Sequence, residues 1–76
     1  MPTQQEHYYD SLLTRVRTDK YPSSQLMNRL EDMFVNSEQI VEYVDVLLEK
    51  LDASRYPSSQ VLDRIDRMLL MVARAT

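Results

Sequence analysis

Apolar residues recur along this chain at helical spacing in four blocks, each closed off by polar residues or by residues that start a helix. Tyr9, Leu12, Leu13 and Val16 form the first stripe, with Asp10, Thr14, Arg15 and Arg17 on the other side. Leu26, Met27, Leu30, Met33 and Phe34 form the second, predicted to lie on a helix of about three turns. The third stripe, Ile40, Val41, Val44, Leu47, Leu48 and Leu51, is the most regular and predicts a helix running to about Ala53. A fourth, Val61, Leu62, Ile65, Met68, Leu69 and Val72, frays toward the carboxyl end.

Between the stripes lie start and stop signals with a mechanism. Thr3 to Glu6 and Asn36 to Gln39 both fit the capping box, in which a short polar side chain takes a backbone N–H three residues on. The segment Tyr-Pro-Ser-Ser-Gln occurs twice, at 21–25 and 56–60. Pro22 pushes the residue before it out of the helical region, so the first helix should end near Asp19, and Ser23 or Ser24 should cap the second. Tyr21 is placed to fold back onto Leu26 or Met27 as a hydrophobic staple. Tyr56, Pro57 and Ser58 repeat the same joint.

The duplication extends beyond the joint at a constant offset of 35 residues: Tyr8 aligns with Tyr43, Asp10 with Asp45, Leu12 and Leu13 with Leu47 and Leu48, and Arg15 with Lys50. The repeating unit is therefore a helix hairpin, and one hairpin cannot cover its own apolar stripe. The expected fold is all-α, a four-helix bundle built from two tandem hairpin repeats in a single domain, residues 1–76. Repeat one covers about 3–35 and repeat two about 38–70, with helix continuing to about 74. Stacked hairpins with an open groove fit the stripes equally well. The period invites comparison with the tetratricopeptide repeat, but that repeat's Trp, Gly and Ala signature is absent.

Composition sharpens this picture in two ways. A chain of 76 residues without cysteine has no disulfide or thiolate-metal staple, so its small core calls for good helix packing or oligomerisation. The net charge of −3 works against a general nucleic-acid binder. That charge is uneven, with residues 1–30 summing to +1, 31–52 to −6 and 53–76 to +2. No apolar run approaches the roughly 20 residues of a membrane span, and the amino terminus lacks the basic and apolar regions of an export signal, so the expected address is the cytoplasm.

The inventory for catalysis is thin. His7 is the one histidine, and no glycine-rich phosphate loop can be built without glycine. The serines of the two joints have no base to activate them and read as caps. Glu38, Glu42, Asp45, Glu49 and Asp52 share one face of the third helix, opposite its stripe, but the Glu-x-x-His pairs of a dimetal bundle are missing. No enzyme, metal, cofactor or small-molecule substrate is expected. Instead the acidic face suits a basic protein partner.

Val46, Leu70 and Met71 fall off the stripes and mark a candidate protein or self-association interface. Arg64, Arg67 and Arg74 form a basic edge interrupted by Asp63 and Asp66. The copies differ at Ser11 against Val46, Asp32 against Arg67 and Asn36 against Met71. The expected function is a non-enzymatic protein-interaction or assembly module that self-associates. The alternative is a regulatory nucleic-acid binder using the basic edge.

Overall fold

Each helix begins where a short polar side chain takes up backbone N–H groups that a first turn leaves without partners. In the computed structural model, which describes residues 3–20, 22–53 and 58–75, four helices follow one another: α1 (Gln4–Thr18), α2 (Ser24–Glu31), α3 (Ser37–Ala53) and α4 (Ser59–Ala75). Thr3 Oγ1 accepts from the Glu6 N–H at 3.1 Å to open α1, and Ser23 Oγ accepts from Leu26 at 3.1 Å to open α2. Asn36 Oδ1 accepts from Gln39 at 2.9 Å to open α3, while Gln39 Oε1 reaches back to the Val35 N–H at 2.9 Å. Ahead of α4, Ser58 Oγ accepts from Gln60 and its carbonyl from Leu62, each at 3.1 Å. The structure is all-α, with no strand among the described residues. Tyr21, Tyr56 and Pro57, and with them the expected tyrosine staple, lie outside the described residues.

The helix ends do without left-handed residues, since none of the described residues has a positive φ. Asp19 leaves α1 in extended geometry, while the Thr18 hydroxyl donates to the Thr14 carbonyl at 3.0 Å. α2 is shorter than its stripe implies. It stops at Glu31, and the Met33 N–H donates to the Leu30 carbonyl at 3.1 Å, the tighter i to i−3 pattern of a closing turn. Met33 and Phe34 thus keep helical spacing without being helical, because the chain must leave the helix before Asn36 can cap the next one. Phe34 is half-buried, its ring edge-on to Tyr9 at 6.4 Å between centroids.

The chain divides into two compact units, Met1–Phe34 and Val35–Thr76. In the first, α1 packs on α2, and Tyr9, Leu12, Leu13, Val16, Met27 and Leu30 are buried. In the second, α3 packs on α4, and the buried apolar residues are Ile40, Tyr43, Val44, Val46, Leu47, Ile65 and Met68.

The second unit corrects the stripes expected from sequence. Val41 and Leu48, assigned to the core of α3, are 44% and 38% exposed, whereas Tyr43 is fully buried and Val46 is 1% exposed. The buried face of α3 is turned by roughly 70° from the stripe centre. Val46 therefore belongs to the core and not to the edge of an acidic interface. α4 turns in the same sense: Ile65 and Met68 are buried and Val61 and Val72 half-buried, but Leu62 and Leu69 are exposed. Apolar side chains cover more than half the circumference of α3, so periodicity alone permits either rotation, and burying a tyrosine ring removes more apolar surface than burying Val41 and part of Leu48. Val46→Ser should cost about 2 kcal/mol or more in urea denaturation, and Val41→Ser should stay within about 0.5 kcal/mol of the parent. The reverse order would restore the stripe expected from sequence.

Candidate interaction surface

Glu38, Glu42, Asp45, Glu49 and Asp52 project from α3 on its solvent side, and all five are exposed. They follow one another at intervals of three or four residues, so each faces at least one like charge along the helix. Lys50, the one basic residue of α3, lies on the opposite flank and is half-buried. Such a face is held at a cost in repulsion that a cationic partner relieves.

The basic edge of α4 is not what its spacing implies. Arg64 is 4% exposed and engaged within the chain, and its methylene stem makes that burial tolerable although its buried Nε makes no hydrogen bond among the described residues. Arg67 and Arg74 are exposed, with Asp63 and Asp66 exposed beside them. Ser59, Gln60, Asp63, Arg64, Asp66 and Arg67 line an open depression along this part of the helix. Its lining carries both charge signs and no large apolar side chain.

Near the carboxyl end of α4, Leu69, Leu70 and Met71 are all exposed and only Val72 is half-buried. Leu70 and Met71 keep the exposed positions that make them interface candidates. Val41, Leu48, Leu62 and Leu69 were missed as surface residues because they share the helical period of the core. The available signal was the excess of apolar positions on α3, more than a single buried face can hold.

His7 is exposed on α1, and the described residues contain no group of three or more His, Cys, Asp or Glu side chains able to hold a metal ion. Among them, too, no helix is long and apolar enough to cross a membrane. The Arg15–Asp19 ion pair on α1, at 4.0 Å, is well exposed and contributes little. No protein family, no curated protein and no solved structure matches this chain.

The acidic face generates a prediction about stability. Glu49→Gln relieves like-charge pairs with Asp45 and Asp52 near the negative end of the helix dipole while keeping helix propensity. It should stabilise the protein by about 0.2–0.5 kcal/mol per pair relieved. Thermal melts at low and high salt check this, since the gain must shrink as salt screens the repulsion.

Proposed function

We propose that this chain is a small non-enzymatic protein-interaction module, built as a tandem pair of helix hairpins, that associates with further copies of itself. The observation carrying this reading is the exposed end of α4, where Leu70 and Met71 are 52% and 42% exposed on different sides of one helix. A helix apolar on several sides gains by being covered, and a domain this small has most to gain from the added buried area. The residue inventory supports binding over chemistry: one exposed histidine, no cysteine, and serines that serve as caps.

The burial of Arg64 favours protein over nucleic acid as the partner. It removes a cation from the edge a phosphate backbone would meet, and leaves Arg67 and Arg74 beside Asp63 and Asp66 in a chain of net charge −3.

Light scattering at micromolar concentration should give a mass above that of the monomer. Leu70→Asp combined with Met71→Asp should move the assembly to monomer with the helical circular dichroism retained. A parent protein that is folded and monomeric would remove self-association from the proposal.

A further inference from the structure

The exposed apolar residues of the second unit fall into a pattern. α3 and α4 pack on each other, and the five positions between Ala53 and Ser59 are too few to run back along a 17-residue helix, so the two helices are antiparallel. Viewed down one axis, the wheels of two antiparallel helices turn in opposite senses. Residues displaced from the shared seam by the same rotation therefore lie on the same side of the pair. Val41 and Leu48 lie about 80–100° beyond Ile40, and Leu62 and Leu69 lie about 80–100° beyond Val61 in the same sense. All four thus line one side of the α3–α4 hairpin, as two parallel rows seven residues apart, and each is between 38% and 52% exposed.

The rim of this side is acidic. Next around α3 come Asp52, Asp45 and Glu38, and next around α4 comes Asp66, all exposed. The described cations of the two helices, Lys50, Arg64, Arg67 and Arg74, fall beyond them or on the opposite side of the hairpin.

We infer that this face binds a basic amphipathic helix of another protein, laid between α3 and α4 with its apolar stripe on Val41, Leu48, Leu62 and Leu69 and its cations over the carboxylate rim. Two rows at a seven-residue interval present the groove that a helix with anchors at i, i+3 or i+4, and i+7 fills. Charge selects the occupant. A second copy meeting this face through a two-fold axis would set Asp45, Asp52 and Asp66 against the same residues. Nor can a second copy supply the ligand from α1, whose apolar residues Tyr9, Leu12, Leu13 and Val16 are already buried. The inference rests on the reading of the chain as a protein-binding module but uses a surface separate from Leu70 and Met71.

The test uses the intact chain and a fluorescent synthetic peptide with a leucine stripe and a lysine polar face, with a glutamate-faced peptide of the same stripe as control. Anisotropy at low salt should show binding of the lysine peptide alone. The Leu62→Gln and Leu69→Gln double variant, helical by circular dichroism, should lose affinity about tenfold or more. Asp45→Asn with Asp52→Asn should weaken binding and flatten its salt dependence. Absence of binding to the lysine peptide, equal binding of the glutamate peptide, or unchanged affinity of the folded double leucine variant would each overturn the inference. Light scattering of that variant separates the two surfaces. An unchanged assembly mass is expected, and dissociation to monomer would make this face the self-association surface and overturn the assignment to a foreign helix.

Discussion

The rotation of α3 about its own axis governs the second unit, and Tyr43 holds it. Among the described residues this is the largest fully buried side chain, and it is engaged within the chain. A fully buried tyrosine leaves little freedom to the helix that carries it. With Tyr43 inside, Val46 is brought inside by its position three residues on, and Val41 and Leu48 are carried to the surface. The acidic residues then lie opposite the core, where five carboxylates can remain hydrated. A rotation that buried the regular stripe would instead bring a tyrosine to the surface and draw Asp45 and Asp52 toward the boundary of the core, where desolvation penalises charge.

Helix starts are fixed by a different and more local force. Thr3, Ser23 and Asn36 each satisfy a backbone N–H three residues ahead, and Ser58 one two residues ahead. With no glycine in the sequence, the described helix ends close through Asp19 in extended geometry and Asp32 in right-handed geometry. The chain therefore turns by leaving the helix early and starting the next one firmly. The shortness of α2 follows from this: its last two apolar residues are spent on the turn, where Phe34 still reaches Tyr9.

This division between local and non-local forces explains what could be read from the sequence. The number of helices, their starts and the end of α1 follow from caps and prolines, which act within three or four residues. The faces of α1 followed as well, because its apolar residues fill a single stripe. α3 and α4 carry more apolar positions than one face accommodates, and the choice between rotations depends on what lies against each side, which is not encoded in spacing. Arg64 was misread for a related reason. A cation in a row of charges reads as surface, yet its aliphatic stem can be buried against apolar neighbours, and Arg64 is 4% exposed and engaged within the chain. The acidic face was legible because its five carboxylates recur at intervals of three or four residues on one side of α3. The four exposed apolar residues were not, because surface and core residues there share one period.

The duplicated pattern makes the consequence general. In the first unit, Tyr8, Ser11 and Arg29 are exposed while Leu13 and Met27 are buried. Thirty-five positions on, the order reverses: Tyr43, Val46 and Arg64 are buried while Leu48 and Leu62 are exposed. The same sequence pattern is thus buried at one set of positions in the first unit and at a different set in the second. Substitution has followed burial at one of these positions, where Ser11 gives way to Val46, but Tyr8 and Tyr43 are the same residue in opposite environments, as are Arg29 and Arg64. Identity at aligned positions therefore does not carry environment with it. The leucines left outside in the second copy stand where the first copy keeps core residues, and only the neighbouring carboxylates, Asp45 and Asp52 on α3 and Asp66 on α4, separate this face from a core that lacks its last layer.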